Sequence, residues 1–456
     1  MKSTNAEAAI FWRKPLTKQR LYNAGWLATA VIAATVGTAS AQTAAPAATT
    51  EAPASPAPDA PPPGFWIDGI HLSAQIEGGI SLNPSGPSNN FGQLFTDHPN
   101  QPMLNQILLT ANKPLDPKAT GFDWGFKLQG MYGSDARYTQ YLGEFNTVNP
   151  ADRNQFAVVE ANLMVHLPVL VAGGIDLKAG QFVTPLGYET IDPSTNPFYT
   201  HSYIFNFGLP FTETGMLAVS HVSPLLDVYL GVDTGANTTF GPLGDNNSAV
   251  AFVGGFNLTL MDGNLTVLAL THIGPENPTR VLSPAGFNAD AYYRYFNDIV
   301  VTYKASDKLT LVTDANLVRD DFGGYYSSAS RTPGSANAFG IAQYASYVLT
   351  DTVTLNGRAE IYRDNNNFFV ASFPGNASFV RSQQGLAAGV GAPFPTTYGE
   401  ITLGVTYKPS GLPPAIGGLL IRPEIRYDQA LGNTHPFNSG QDNGAVTIAS
   451  DFVLTF

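Results

Sequence analysis

The amino-acid sequence predicts an all-β fold, a transmembrane antiparallel up-and-down β-barrel of sixteen strands with short periplasmic turns and long extracellular loops. Three observations lead there. First, the chain ends in alternation, with Val446, Ile448, Phe452, Leu454 and Phe456 on one face and Thr447, Ala449, Asp451 and Thr455 on the other. The last residues of a soluble domain usually fray, whereas a membrane barrel pairs its last strand with its first so that no edge meets lipid. Second, the same period of two recurs along the chain with charge confined to one face. Third, the connections between alternating segments are short and long by turns, which separates a barrel in a membrane from a β-sandwich.

The N-terminal elements set the compartment. Lys2, Arg13, Lys14, Lys18 and Arg20 precede an apolar stretch at 21–36, and Ala39-Ser40-Ala41 forms a small-x-small site that releases Gln42. Residues 1–41 therefore read as a Sec signal peptide. A signal anchor retained in the inner membrane is the alternative; the small residues diluting the apolar run and the site that follows it speak against that. Residues 42–63, rich in Ala, Pro, Thr and Ser, cannot bury a core and read as a flexible periplasmic segment. Five of the 23 Lys+Arg and one of the 35 Asp+Glu lie in residues 1–41, leaving 18 against 34, a net charge of −16. An exported chain this acidic is not a nucleic-acid partner. Cysteine is absent, which excludes a lipid anchor, a disulfide framework and a thiolate metal site.

Residues 64–456 form the barrel. Strands are expected near 67–80, 103–111, 122–133, 156–167, 174–182, 212–222, 225–235, 249–260, 264–274, 293–305, 308–319, 337–349, 352–363, 396–408, 418–428 and 445–456. In the first, Ile70, Leu72, Ala74, Ile76 and Ile80 alternate with His71, Ser73, Gln75 and Glu77; in the thirteenth, Val353, Leu355, Ala359 and Ile361 alternate with Thr354, Asn356, Arg358 and Glu360. The fifteenth sets Leu419, Ile421, Ile425 and Tyr427 against Arg422, Glu424, Arg426 and Asp428. Segment 103–111 is irregular, and in 212–222 and 264–274 either face could point outward, so fourteen or eighteen strands also fit. Trp124, Tyr132, Tyr303, Tyr347, Tyr407 and Tyr427 supply aromatic girdles at bilayer height.

The third long connection carries the most specific pattern. GQFVTPLGYE at 180–189, IDPSTNPFY at 191–199, SYIF at 202–205 and PFTETG at 210–215 resemble the signature of the family described as "Putative beta-barrel porin-2, OmpL-like". The resemblance covers the barrel from about residue 64 to 456 and implies an outer-membrane porin, without catalytic or ligand residues to transfer. On its own chemistry the loop at 183–211 is too rich in Pro, Gly and aromatic residues for a disordered tip. By analogy with sixteen-stranded general porins it folds inward and narrows the pore. Glu189, Asp192 and Glu213 would then place acidic groups in the constriction opposite the inward basic residues Lys127, Lys178, Arg358, Arg422 and Arg426. The alternative is that these residues solvate the lumen or pair with one another.

Other chemistry finds little support. Histidines at 71, 98, 166, 201, 221, 272 and 435 have no metal-ligand spacing, so neither a metal nor a cofactor is expected. Asp97-His98 and Asp320-Asp321 are adjacent, so on strands they would point to opposite sides, unlike the one-apart pairs of omptin-type proteases; they read as solvated loop residues. Ser220-His221 and His201-Ser202 fail as nucleophile–base pairs for the same reason. The expectation is a non-enzymatic channel for passive diffusion of small hydrophilic solutes or ions; a closed barrel that binds partners at the cell surface, or serves structurally, is the alternative. Expected partners are outer-membrane lipid and lipopolysaccharide, the barrel assembly machinery through Phe456, small polar solutes and further copies in a homotrimer. N-terminal sequencing of the exported protein should return Gln42; a retained Met1 would establish the signal anchor.

Overall fold

The computed structural model describes residues 64–456 apart from 146–147, 149–151, 242–243, 324–333, 371–394 and 414. The expected signal peptide and Ala/Pro-rich segment, with parts of the sixth and seventh long loops, lie outside the described residues. All sixteen predicted segments form strands: β1 (Ile70–Leu82), β2 (Pro102–Lys113), β3 (Asp123–Gly133), β4 (Gln155–Leu167), β5 (Ile175–Val183), β6 (Thr212–Ser223), β7 (Leu226–Asp233) and β8 (Ala251–Leu260). β9 (Leu265–Pro275), β10 (Tyr293–Lys304), β11 (Leu309–Asp320), β12 (Ala336–Thr350), β13 (Val353–Asp364), β14 (Thr396–Tyr407), β15 (Gly418–Ala430) and β16 (Gly444–Thr455) complete the set. Each pairs antiparallel with its sequence neighbours, and β16 pairs with β1 from Ile448↔Leu82 to Thr455↔Gln75, closing the ring. Phe456 extends that seam, its N–H donating to the Ala74 carbonyl at 2.9 Å.

Three local differences from the sequence reading have physical causes. The first segment does not run straight from 67: Asp68 and Gly69 take left-handed φ values of 48° and 82°, so Phe65–Ile67 folds back as a short strand on Ile70–Leu72. The irregular 103–111 segment is a full strand with a bulge, since Glu77 pairs with Gln106 while Gly78 pairs with Leu104, leaving Asn105 unmatched. In β6 and β9 apolar residues stand on both faces, the inner ones packed in the core and the outer ones at least partly exposed. Met216 of β6 is 53% exposed on the outer face, while Leu217 and, on β9, Leu270 are buried inside.

The outer face carries the expected large apolar residues. All six proposed girdle aromatics, including Trp124 and Tyr427, are exposed. The core lies inside the barrel, between the wall and inward-folded loops. Short helical turns occur there and in other loops, for example Ala136–Thr139 and Thr279–Leu282, and no described helix is long and apolar enough to cross a membrane.

The inner wall carries charge unevenly around the barrel. Strands β13 to β16 present Arg358, Glu360, Glu400, Arg422, Glu424, Arg426, Asp428 and Asp451, all buried. Strands β6 to β12 present Leu217, Val253, Leu270, Phe296, Val300, Val312, Val318 and Ala342, joined to Leu186, Phe207 and Leu209 of the third loop in one apolar cluster, and set among them the buried polar groups Glu213, Asp233, His272, Asp298 and Asp314. The loop therefore rests on a mainly apolar wall with a few buried acids on one side and a densely charged wall on the other.

If the outer face meets lipid, an introduced charge should cost most at mid-strand. Leu403→Arg on β14, 60% exposed, should destabilise the barrel by about 2–4 kcal/mol, and Tyr407→Arg at the strand end by about 0–1 kcal/mol. Unfolding of the barrel refolded into phospholipid vesicles measures both; equal penalties would contradict a membrane around this face.

Candidate functional site in the barrel lumen

The third loop, residues 184–211, has almost no regular hydrogen bonding of its own. Its base is closed by the Thr184 N–H on the Phe211 carbonyl at 3.0 Å. A small knot follows: Asp192 caps the turn Pro193–Thr195 by accepting from the Ser194 N–H at 2.9 Å, and the Asn196 amide spans back to both backbone groups of Thr190. The run from Ile204 to Gly208 is a single wide helical turn. Most of the loop's residues are buried, and their backbone polar groups need partners from elsewhere, because an unpaired one costs roughly 1–3 kcal/mol.

Charged side chains of the wall supply those partners. Carboxylates receive N–H groups: Asp298 from Gly187 at 3.0 Å, Asp314 from Tyr188 at 3.2 Å, Glu424 from Tyr199 at 2.8 Å and Thr200 at 3.2 Å, and Glu360 from Tyr203 at 2.7 Å and Ile204 at 2.9 Å. Arginines donate to carbonyls: Arg422 to Pro193 and Asn196 at 2.7 and 2.8 Å, Arg358 to Thr200 at 2.8 Å, and Arg426 to His201 at 2.6 Å. The same arginines are neutralised by acids, Arg358 by Glu400 and Glu189, Arg422 by Asp451 and Glu77, and Arg426 by Asp428. Aromatic packing completes the grip. Tyr203 stacks between Tyr362 and Tyr398 and donates its hydroxyl to Asp428, while Phe95 of the first loop meets His201, Phe205 and Phe211.

Glu189 is the loop's own charged anchor. It pairs with Arg358 and His201, each at 2.7 Å, and accepts from the Tyr344 hydroxyl and the Ser202 N–H. Burial opposes its charge, but the Arg358 guanidinium and the His201 imidazole outweigh burial and hold the carboxyl down at about 2. Burial also lowers the His201 value, only partly offset by Glu189, so this imidazole resists protonation. In the first loop Asp97 is buried and held bidentately by Arg137 of the second, at 2.7 and 2.9 Å, with the Tyr138 hydroxyl at 2.9 Å. Asp97 is thus an interior ion-pair partner, a correction to its reading as a solvated loop residue. Asp320 is corrected likewise, buried against Arg294 at 2.9 Å.

The predicted constriction residues divide into groups. Glu189, Asp192, Arg358, Arg422 and Arg426 are brought together around the loop, Asp192 also accepting from Gln75 at 3.0 Å. Glu213 is elsewhere, buried on β6 with Thr184 at 2.7 Å and near Asp233, His272 and Glu276. Lys127 pairs with Glu160 at 2.7 Å and Lys178 lies over the Phe182 ring; both keep partial exposure toward the lower lumen. Opposed rows of charge across a gap are not what forms: acids and bases share one wall. Glu360, Glu424, Asp298 and Asp314 were missed as loop ligands. A signal existed for two of them, because Arg358/Glu360 and Arg422/Glu424/Arg426/Asp428 alternate in sign along one strand face.

A closed sixteen-stranded antiparallel barrel with an apolar exterior and an inward-folded third loop is the architecture of the bacterial outer-membrane porins. The chain belongs to the family described as "Putative beta-barrel porin-2, OmpL-like", whose model matches residues 69–456. Among solved structures it is similar to the outer membrane channel DcaP of Acinetobacter baumannii, with TM-score 0.50 and 12% identity, covering 86% of this chain and 99% of that one. It is similar also to an anion-selective porin from Comamonas acidovorans, with TM-score 0.52 and 8% identity over 85% and 99% of the chains. OmpF of Salmonella typhi, in complex with daunomycin, gives TM-score 0.52 and 11% identity over 86% and 99%. At these identities the likeness is one of fold. No curated protein sequence matches the chain.

Because the Glu189 value lies below the ordinary 4.5, its charge stabilises the docked loop fully above about 4.5, and this contribution disappears as pH falls to about 2. Protonation of His201 acts in the same direction. Hydrogen exchange at the Ser202 amide should therefore accelerate through this acid window by the equivalent of a few kcal/mol. Glu189→Gln should show faster exchange at neutral pH and a smaller acid step; identical profiles for the two proteins would remove Glu189 as an anchor.

Proposed function

We propose that the protein is a passive channel of the bacterial outer membrane for small hydrophilic solutes or ions, narrowed by its third external loop. One observation carries the reading: in a closed barrel of the porin family, residues 184–211 are tied to inward side chains from β10 around to β15. In this reading Arg358, Arg422, Arg426, Glu189 and Asp192 set the loop's position and so the width of the neck. Lys127 and Lys178 face the passage below it and bias its charge preference, while Glu213 buttresses the loop's base. The protein is a channel and not an enzyme. Export removes residues 1–41, residues 42–63 act as a periplasmic spacer, Phe456 engages the assembly machinery, and the barrel sits as a homotrimer among outer-membrane lipid and lipopolysaccharide.

A second reading, a closed barrel that binds at the cell surface, is favoured by the burial of inward residues such as Asn356, Arg358, Glu360 and Asp364 along β13. Sixteen strands leave an aqueous channel only where loops leave room. Single-channel recording of the refolded protein under a salt gradient separates the two. Discrete open steps with a stable reversal potential are expected, and Lys178→Glu should shift that potential toward cation preference. A folded, heat-modifiable barrel that never conducts would establish the closed form.

A further inference from the structure

The first arm of the third loop rests on two carboxyl groups. Asp298 on β10 accepts from the Gly187 N–H and Asp314 on β11 from the Tyr188 N–H, at 3.0 and 3.2 Å. Both side chains are almost completely buried, at 2% and 1% exposure. In the ladder Asp298 faces Asn316 and Asp314 faces Val300, which makes the two aspartates diagonal neighbours on the inner face with their carboxyl groups within hydrogen-bonding reach. The second oxygen of each, Oδ2 of Asp298 and Oδ1 of Asp314, has no hydrogen-bond partner.

What surrounds the pair offers it no compensating charge. From β9 the residue opposite Asp298 is Leu270, and from β12 the residue opposite Asp314 is Ala342. Asn316 turns its amide N–H to the Gly208 carbonyl at 3.0 Å. From the loop the nearest charge is Glu189, of the same sign and already paired with Arg358 and His201. Tyr188 and Tyr344 face this region with neutral hydroxyls. Among the described residues no basic side chain forms an ion pair with either aspartate. Two carboxylates in such a dry site cannot both be charged without a large penalty, and two bare oxygens side by side become a hydrogen bond once one carries a proton.

We infer that Asp298 and Asp314 share one proton, that this proton latches the first arm of the third loop to the barrel wall, and that its loss at alkaline pH releases Gly187 and Tyr188. Ionisation of both groups puts like charges in contact with no cation facing them, and water entering to solvate them displaces the arm. A second proton at acid pH leaves both carbonyl oxygens able to accept from the loop, so the latch opens in the alkaline direction only. The inference rests on the loop's place in the lumen and holds whether or not the barrel conducts.

Hydrogen exchange tests it without reference to conductance. The Gly187 and Tyr188 amides are compared with those of Phe211 and Thr212, which donate to the non-titrating Asn237 side chain at 2.9 and 3.0 Å, so that intrinsic base catalysis cancels in the ratio. In the refolded protein the ratio should rise about tenfold per pH unit once the single proton leaves. Asp314→Asn and Asp298→Asn each supply an N–H in place of the shared proton, and both should lose that rise while the loop stays docked. A flat ratio in the unsubstituted protein overturns the inference on its own, even where a variant fails to fold. A rise that persists in both variants overturns it too, and a ratio governed by added calcium instead of pH replaces the proton with a metal ion.

Discussion

An irregular backbone inside a barrel must find partners for its own N–H and C=O groups, and the inner wall here is built around that requirement. The third loop has one short capped turn and one wide helical turn, which leaves most of its polar groups to be satisfied from outside. Carboxylates at Asp298, Asp314, Glu360 and Glu424 take the N–H groups, and guanidinium groups at Arg358, Arg422 and Arg426 take the carbonyls. Charged acceptors and donors make stronger hydrogen bonds than neutral ones, and here they do so where bulk water is excluded. Each guanidinium is then balanced by neighbouring carboxylates, so the network resembles a buried polar lattice more than a set of surface ion pairs. Such lattices are costly when half satisfied, which is why the loop and the wall charges form one unit.

The division of the wall explains how that unit is placed. Strands β6 to β12 turn Leu, Val, Phe and Ala inward and meet Leu186, Phe207 and Leu209 of the loop in a dry contact. Apolar contact supplies adhesion without direction, whereas the hydrogen bonds from β13 to β15, with those to Asp298 and Asp314 on β10 and β11, fix register residue by residue. The loop is pressed mainly from one side and indexed from both. Tyr203 shows both at once, its ring stacked on Tyr362 and Tyr398 and its hydroxyl and N–H held by Asp428 and Glu360.

Strand positions were legible because lipid on the outside enforces alternation, and the closing seam was legible because Phe456 ends an alternating run. Alternation weakened where both faces carry apolar residues, in β6 and β9, whose inner residues join the apolar cluster with the loop, and in β2, where a bulge leaves Asn105 unmatched. The turn at Asp68 and Gly69 escaped notice because the residues on either side of it continue the hydrophobic pattern. The site was half legible. Inward charge could be read from parity, but not whether a given arginine meets a solute, a carboxylate or a carbonyl, since that depends on a loop that arrives from more than a hundred residues away. Asp97 shows the same limit: adjacency to His98 suggested a solvated loop, while its partner Arg137 comes from the next loop.

A count of inward charges is therefore a poor measure of the field a solute would meet. Arg358, Arg422 and Arg426 are closed off by the loop they hold, and their positive charge is spent within a few ångströms on Glu189, Glu400, Asp451 and Asp428. Toward the turn end of the barrel, Lys127, Asp176, His221 and Asp227 remain between about a quarter and a third exposed, and two of the acids, Asp176 and Asp227, are bridged by His221 at 3.2 and 2.8 Å. Solvent reaches these groups while the loop is docked. In the proposed channel selectivity and loop position are consequently separable: substitutions on the β13 to β15 face would act on how the loop is held, and substitutions among the exposed groups below it on which ions gather there.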